Sequence, residues 1–209
     1  MKKLESTLPN MFLSLMITCA ASGVILAGAN MFTAAPIALS KAAALEKAIK
    51  DVTPEFDNNP QAEAYRGITS DGDSLLIYPA TKDGQPVGVA VDSYTKNGFG
   101  GEIKIIVGFD TEGTLTNYSV LQHAETPGLG SKMEEWFRTD KNRQSVIGRS
   151  LANGNLSVTK DGGEVDAITA STITSRAFLN AINRAYSAYK GVETDTATGA
   201  TTQKGDNNE

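Results

Sequence analysis

The sequence contains very little cysteine and histidine and has no concentration of basic residues. Its 209 residues include one cysteine, Cys19, and one histidine, His123, and the formal net charge is −5 at pH 7. A lone cysteine excludes an intrachain disulfide and a thiolate metal cluster, and a lone histidine excludes a two-histidine metal site within one chain. The acidic balance and the lack of Lys/Arg clusters argue against nucleic acid as a partner.

Two familiar active-site motifs are also missing. The chain has no G-x-S-x-G nucleophile elbow, so we do not expect a Ser-His-Asp hydrolase built on His123. The glycine-rich stretch "NGFGGEI" (97–103) is not a dinucleotide fingerprint, because Ile103 stands where the third glycine would fall. Two interpretations stay open for it. It is either the start of a strand that needs permissive backbone dihedrals, or a wall that a flat ligand can approach, with Phe99 available for stacking.

Charged residues are absent from most of the N-terminal region. After the first five residues no charge appears before Lys41, and residues 8–37 are apolar or small almost throughout. A transmembrane helix needs about 20 such residues, and Lys2 and Lys3 favour a cytoplasmic N-terminus. We therefore expect a retained single-pass anchor with the rest of the chain exported. The alternative is a cleaved signal peptide, since "AGA" at 27–29 has the form of a cleavage site.

Helix signals lie at the two ends of the exported part, and strand signals lie in the middle. "LSKAAALEKAIKDV" (39–52) predicts a helix with Ser40 as its N-cap, and a late amphipathic helix around Phe178 should end near Gly191. Between them, alternating segments are joined by short turns such as Asp83-Gly84. This order predicts an α+β fold with a mainly antiparallel sheet, flanking helices and one preceding transmembrane helix.

The predicted boundaries follow from these signals. We expect a cytoplasmic N-terminus at 1–7, a membrane anchor region at 8–37, an extracytoplasmic domain at 38–191 and a disordered tail at 192–209. The tail is polar and has no aromatic residue, so it cannot bury enough apolar surface to offset its ordering entropy.

The stretch "HAETPGLGSKM" (123–133) combines a turn signal with a position between a strand and a short helix. Pro127-Gly128 fits the central positions of a type II turn. The backbone N–H groups of residues 129–131 would then point at one spot, which suits an anion or a carbonyl oxygen. The alternative is an ordinary loop between a strand and a helix.

Hydroxyl side chains are concentrated just before the late helix. Within residues 169–175 five side chains carry hydroxyls: Thr169, Ser171, Thr172, Thr174 and Ser175. A helix needs one such residue as its N-cap, where a side-chain oxygen accepts a hydrogen bond from a backbone N–H. Capping therefore explains one hydroxyl and leaves the others to be explained.

Three of these stretches together resemble a known family. "DAITAST" (166–172) is similar to the flavinylation motif of FMN-binding domains, and "GFGGEI" and "HAETPGLG" match the two other recurrent stretches of that family in the same chain order. The chain most resembles the G subunits of Rnf ion-translocating electron-transport complexes, and the C subunits of Na⁺-translocating NADH:quinone reductases are near relatives. Ala170 and Ser171 depart from the pattern, because the family usually has Gly and then Ala before the acceptor threonine.

The resemblance implies FMN, joined through its phosphate to a threonine oxygen by a dedicated flavin transferase. The family's spacing places this acceptor at Thr172. Attachment through the flavin ring normally uses His or Cys, and a phosphoester avoids both His123 and the Cys19 of the membrane segment. The phosphate charge would also face the N-terminus of a helix, where unsatisfied N–H groups favour an anion. The expected cofactor-binding residues are Thr172 (covalent), Asp166, Thr169, Ser171, Thr174, Phe99, Gly100, Gly101, Glu125, Thr126, Leu129 and Gly130.

The resemblance also implies a role and a location. The chain would be one electron-transfer subunit of a translocase complex in which electrons pass between ferredoxin and NAD while Na⁺ or H⁺ crosses the membrane. It would have no complete active site of its own, would contact other membrane subunits, and would expose its domain on the periplasmic side of the inner membrane. Two alternatives stay open: a free-standing exported flavoprotein reductase, and a non-redox anchored binding module whose hydroxyl cluster is only a cap.

Overall fold

The N-terminal half of the first helix is exposed and apolar. The structure, a computed structural model, describes residues 7–152 and 154–202, and helix α1 spans Leu8–Val52. The chain divides into two compact units, one ending at Ala44 and one beginning at Leu45. By length and composition α1 could cross a membrane, and its most apolar window is not buried by the protein. A single apolar helix near an N-terminus is also compatible with a signal sequence.

Helix α1 differs from the sequence prediction in one respect. The sequence predicts an anchor and then a second helix capped by Ser40, whereas α1 is continuous and contains both Pro36 and Ser40 in its interior. The expected cap at Ser40 is therefore wrong, because the preceding residues are already helical and leave no helix start there. The expected boundary between residues 37 and 38 also falls within this helix.

In the described residues, five strands form one antiparallel sheet in the order of the chain. Each strand pairs with the next, so the sheet is a meander. The strands are β1 (Tyr65–Ile68), β2 (Ser74–Lys82), β3 (Gln85–Gly98), β4 (Gly101–Phe109) and β5 (Leu115–Gln122). Asp83 and Gly84 both have positive φ, 52° and 73°, as a tight hairpin requires. The predicted α+β class with a mainly antiparallel sheet is confirmed.

Two further helical segments and a long last helix follow the sheet. The short helix expected after the turn at Pro127-Gly128 is a 3₁₀ turn, Gly130–Lys132, continued by α2, Met133–Trp136. A second 3₁₀ turn, Thr159–Asp161, precedes α3, Thr172–Thr202. Because α3 continues past Gly191, the expected helix end at that residue is wrong. Of the predicted tail, residues 203–209 lie outside the described residues.

Both faces of the central strands are covered. One face of β4 buries Ile103, Ile105, Val107 and Phe109, as the alternation predicts, and packs on α3. The other face buries Ile106 against the end of α1, including Ile49 and Val52. A Cβ at Gly108 would lie 1.9 Å from the carbonyl oxygen of Val52, so the close approach of α1 to β4 requires this glycine.

Candidate functional site

The sheet topology brings two of the three motifs to the same end of the sheet. Gly98 and Gly101 are paired across the turn between β3 and β4, so Phe99 lies at its tip. Near the start of β4, Lys104 pairs with Gln122, which is the last residue of β5. The segment that follows β5 therefore starts beside the "GFGG" turn, and it contains Glu125.

A cavity of about 340 Å³ collects residues from all three motifs. Among the described residues that line it, none is Lys or Arg. The lining residues are Phe99, Glu125, Thr126, Leu129, Gly130, Ala170, Ser171, Thr172, Ile173 and Thr174. A larger cavity of about 510 Å³ lies among the loops around Arg149 and Glu164, and no motif residue from 98–101, 123–130 or 166–172 lines it.

Most of the expected cofactor-binding residues meet in the 340 Å³ cavity, and four do not line it. The structure brings together Phe99, Glu125, Thr126, Leu129, Gly130, Ser171, Thr172 and Thr174. It does not bring Gly100, Gly101, Asp166 or Thr169 into the lining. Three large apolar side chains of the cavity are exposed, namely Phe99 (69%), Ile173 (51%) and Leu129 (41%). An apolar surface of this kind beside a row of hydroxyls suits a ligand that is flat and apolar at one end and polar at the other.

Glu125 connects the three motifs through its carboxylate. The residue is buried, with 5% of its surface exposed. Its Oε1 accepts a hydrogen bond from the N–H of Gly100 at 2.9 Å, and its Oε2 accepts one from the Thr174 hydroxyl at 2.5 Å. The partners are 25 and 49 residues away in the sequence, so no local pattern could have predicted this network.

The glycines of these motifs make room for Glu125 and its neighbours. A Cβ at Gly98 would lie 2.6 Å from Oε1, and one at Gly130 would lie 2.5 Å from Oε2. A Cβ at Gly100 would lie 2.0 Å from the carbonyl oxygen of Ala124. Gly101 has a φ of 105°, which favours glycine whatever the space. For Gly100 and Gly101 the structure therefore favours the first interpretation, a strand start in which the backbone needs glycine for its dihedral angles or for close packing.

The backbone amides after Pro127 point at one spot, and the chain itself supplies the acceptor. The N–H groups of Leu129 and Ser131 both donate to the carbonyl oxygen of Thr126, at 3.2 and 3.4 Å. Gly128 has a φ of 74°, as the third position of a type II turn requires. The sequence allows an anion or a carbonyl oxygen as the acceptor at this spot. The amides of Leu129 and Ser131 bind a carbonyl oxygen of the chain itself.

The hydroxyls of residues 169–175 have different surroundings. The buried Ser175 hydroxyl accepts from the N–H of Ile168 and donates to the carbonyl oxygen of Ser171, both at 2.9 Å. Thr174 is also buried and donates to Glu125, whereas Thr169 is exposed and outside the cavity lining. Thr172 is the first residue of α3, is half-buried, and lines the cavity.

Lys160 is a site residue that the sequence motifs missed. Its Nζ donates to the Thr172 hydroxyl oxygen at 3.1 Å. The 3₁₀ turn that carries it is held on α3 by Asp161, whose two oxygens accept from Arg176 at 2.6 and 2.7 Å. The Arg176 guanidinium, through these hydrogen bonds, holds the pKa of Asp161 below its ordinary value. No local signal marks Lys160, because the contact joins a surface turn to a helix 12 residues later.

Ala170 and Asp166 show the backbone conformation and the hydrogen bonds of the segment that precedes Thr172. Ala170 has a φ of 62°, in the left-handed region that favours glycine, and a non-glycine residue there costs about 1 kcal/mol. Asp166 does not reach the cavity. Its carbonyl oxygen accepts from the indole N–H of Trp136 at 2.9 Å, and its carboxylate accepts from the N–H of Arg143 at 3.3 Å. Asp166 thus ties the segment before the hydroxyl cluster to α2 and the loop after it.

The lone histidine has a structural position. The Nδ1 of His123 accepts a hydrogen bond from the N–H of Glu125 at 3.1 Å, and its Nε2 lies 3.2 Å from Glu134. The ring therefore fixes the start of the Glu125 segment. No serine or threonine is among the partners recorded for its nitrogens in the described part of the chain.

Comparisons with known proteins identify a matching domain family and several relatives. The FMN-binding domain family matches residues 98–187, which include all three motifs. The chain is 36% identical over 174 residues to the G subunit of the ion-translocating oxidoreductase complex of Vibrio vulnificus, covering 78% of this chain and 80% of the relative. It is 40% identical over 120 residues to the G subunit of Aliivibrio fischeri, with 56% of each chain covered. It is 33% identical over 175 residues to that of Vibrio cholerae, with 80% and 82% covered.

Proposed function

This chain belongs to the family of G subunits of ion-translocating oxidoreductase complexes, and from this we propose that it is a membrane-anchored covalent flavoprotein that relays electrons within such a complex. The single observation that supports the proposal best is the 340 Å³ cavity in which the three motifs meet. In this role the chain holds the flavin, tunes its potential and excludes side reactions, while FMN supplies the redox chemistry.

The residues of the cavity fit FMN. The exposed Phe99, Leu129 and Ile173 suit the flat, largely apolar ring system, and the Ser171 and Thr172 hydroxyls suit the phosphate. Among the described residues no group of three or more His, Cys, Asp or Glu could hold a metal ion. Phe99 and Leu129 would pack on the ring, and the start of α3 would lie beside the phosphate, where the positive end of the helix favours an anion.

Thr172 is the proposed point of attachment. In the scheme that the family resemblance implies, the Thr172 oxygen attacks the FMN-side phosphorus of FAD with the help of a flavin transferase. A new P–O bond forms, the bond between the two phosphates breaks, AMP leaves, and the hydroxyl proton passes to the transferase or water. Linkage through the phosphate leaves the ring free of a covalent bond. Thr172 suits this step because it is half-buried at the cavity, whereas the neighbouring Thr174 and Ser175 hydroxyls are buried and engaged.

Lys160 would neutralise the phosphate charge at Thr172, since its ammonium already reaches the Thr172 oxygen. We expect Lys160→Met, which keeps the apolar stem, to slow flavin attachment and to move the ³¹P resonance of the attached phosphate. The matched control is Lys141→Met, at an exposed lysine outside the cavity. If both variants match the wild type in a time course of attachment and in the ³¹P spectrum, Lys160 has no part in holding the phosphate.

The anchor and the orientation complete the proposal. We propose that residues 8–37 stay in the inner membrane as a single span, that residues 1–7 are cytoplasmic, and that the domain beginning at residue 38 lies on the periplasmic side. Lys2 and Lys3 support this orientation, since basic residues resist export. Electrons would then pass through this flavin between other membrane subunits, on a route that joins ferredoxin and NAD to Na⁺ or H⁺ translocation.

The intact mass of the chain purified from membranes tests attachment and anchor together. We expect a fluorescent band on a denaturing gel and a mass equal to the full chain plus one FMN, when the flavin transferase is present in the cells. A chain that begins near Asn30 would show a cleaved signal and remove the anchor. A colourless chain would favour a non-redox binding module, and flavin with reductase activity in the absence of partner subunits would favour a free-standing reductase.

A further inference from the structure

Glu125 is a buried carboxylate in the wall of the cavity, and it is held by neutral donors. Its two oxygens accept from the Gly100 amide and the Thr174 hydroxyl. Among the ion pairs recorded for residues 7–152 and 154–202, none includes Glu125. The described residues that line the cavity also include no Lys or Arg. The cavity wall therefore carries a carboxyl group without a recorded ion pair, while the Lys160 ammonium contacts the Thr172 hydroxyl of the same cavity.

The Glu125 carboxyl group has one hydrogen-bond partner at each oxygen. One oxygen accepts from an N–H, which can only donate, and the other lies 2.5 Å from the Thr174 hydroxyl oxygen. We take Glu125 as the carboxylate, which can accept both bonds. A buried charge without an ionic partner is expensive in free energy, and a neutral glutamine of the same shape would avoid that expense. Gly98 and Gly130 lack the Cβ atoms that would collide with the two carboxylate oxygens. A charge kept under these conditions suggests a role in the chemistry of the cavity.

We propose that the Glu125 carboxylate lowers the reduction potential of the flavin bound in this cavity, and that it does so by its charge and not only by holding the motifs together. The proposal rests on the proposed function, because it requires FMN in the cavity. Electrons that reach the ring bring negative charge unless each is matched by a proton. A fixed carboxylate in a poorly solvated wall opposes that charge more strongly than it would in water, so reduction becomes less favourable.

A redox titration of the Glu125→Gln variant tests the proposal on the full chain with its attached flavin. The glutamine keeps the geometry, since its oxygen can accept from Gly100 and its amide can donate to the Thr174 oxygen. We expect a midpoint potential more positive than that of the wild type. The shift should persist at high salt, because salt screens buried charges much less than exposed ones. The matched control is Glu112→Gln, at an exposed glutamate in the turn between β4 and β5, which should leave the potential unchanged.

A second variant separates charge from position. Glu125→Asp keeps the charge and shortens the side chain, so we expect a potential close to that of the wild type. An Asp variant that shifts as far as the Gln variant would make the effect positional and overturn the proposal. An unchanged or more negative potential in Glu125→Gln, with flavin fully attached, would overturn it as well. If the wild type itself carries no flavin, the proposed function fails first, and the two failures are thereby distinguished.

Discussion

Thr172→Ala should carry no covalent flavin while keeping the fold of the domain. The hydroxyl oxygen is the proposed nucleophile, and alanine has none. The loss in stability should be small, because removing a hydroxyl at the start of a helix costs about 0.5–2 kcal/mol. Domains of this size have a net stability of about 5–15 kcal/mol. Gel fluorescence of the denatured chain and peptide mass spectrometry measure attachment, and far-UV circular dichroism of the full chain in detergent checks the fold.

Two matched variants sharpen the assignment to Thr172. Thr169→Ala removes an exposed hydroxyl three residues earlier that does not line the cavity, so it should leave attachment intact. Thr172→Ser keeps the nucleophilic oxygen and should retain at least part of the flavin. FMN found on Thr169 or Thr174 would refute the assignment. An unmodified wild-type peptide from cells that contain the transferase would refute the attachment itself.

The geometry supplies a reason for one acceptor among several hydroxyls, which spacing alone cannot. The sequence places five hydroxyls within one short segment, and the resemblance selects Thr172 by counting from Asp166. The structure adds that the Thr174 hydroxyl would have to leave Glu125 and that the Ser175 hydroxyl would have to leave two backbone partners. Both are buried, so a modifying enzyme would need to unfold the start of α3 to reach them. Thr172 requires no such opening.

The sheet could be predicted because its signals are local. Alternation along β4 identifies its buried face, and the Asp83-Gly84 hairpin fixes the register of β2 against β3. Strand β1 gives no such signal, because it has four residues with Gly67 among them. A Cβ at Gly67 would lie 2.5 Å from the carbonyl oxygen of Ala188 in α3, so this glycine reflects a tertiary contact that no local pattern contains.

The boundaries of the helices, unlike the strands, could not be predicted from local signals. The expected N-cap at Ser40 predicts the start of a second helix there, yet α1 runs through Ser40 to Val52. Its last turn is held by the sheet, since Thr116 donates to the carbonyl oxygen of Val52 and Asn117 to that of Asp51, at 2.5 and 2.8 Å. These contacts join residues 64 and 66 positions apart, so no local pattern contains the packing of the end of α1 on the sheet.

The residues that line the site could be predicted from the sequence better than the contacts between them. The three motifs contain eight of the residues that line the cavity, namely Phe99, Glu125, Thr126, Leu129, Gly130, Ala170, Ser171 and Thr172. What the motifs do not reveal is that Glu125 ties them together and that Lys160 reaches Thr172. Each of these contacts is made by a single side chain across a long sequence separation, and single residues produce no periodic or spaced pattern to detect.

Phe178→Ala should lower the free energy of unfolding by about 3–5 kcal/mol, the usual loss when a buried aromatic side chain is truncated to alanine. Phe178 has no exposed surface. Its ring stacks on Phe137 at a centroid distance of 4.6 Å and meets the edge of Tyr118 at 4.8 Å. Each such aromatic pair adds about 0.5–1.5 kcal/mol beyond the burial of area, and the surrounding strands cannot close the cavity that alanine leaves.

Phe178→Ala should also lower the yield of attached flavin, because Phe178 packs the helix that begins at Thr172 against the core. With α3 less firmly packed, Thr174 holds Glu125 less often and the acceptor is less well placed, so we expect a lower yield of attached flavin together with the lower stability. The matched control for stability is Ile173→Ala, in the first turn of the same helix but half exposed, which should cost less than about 1.5 kcal/mol. It is no control for the flavin yield, because Ile173 lines the cavity. Thermal unfolding of the full chain in detergent, followed by near-UV circular dichroism, gives the stabilities, and gel fluorescence gives the yield. Equal melting temperatures for the two variants would show that α3 is not seated by Phe178, and the link between the aromatic cluster and the acceptor would then fail.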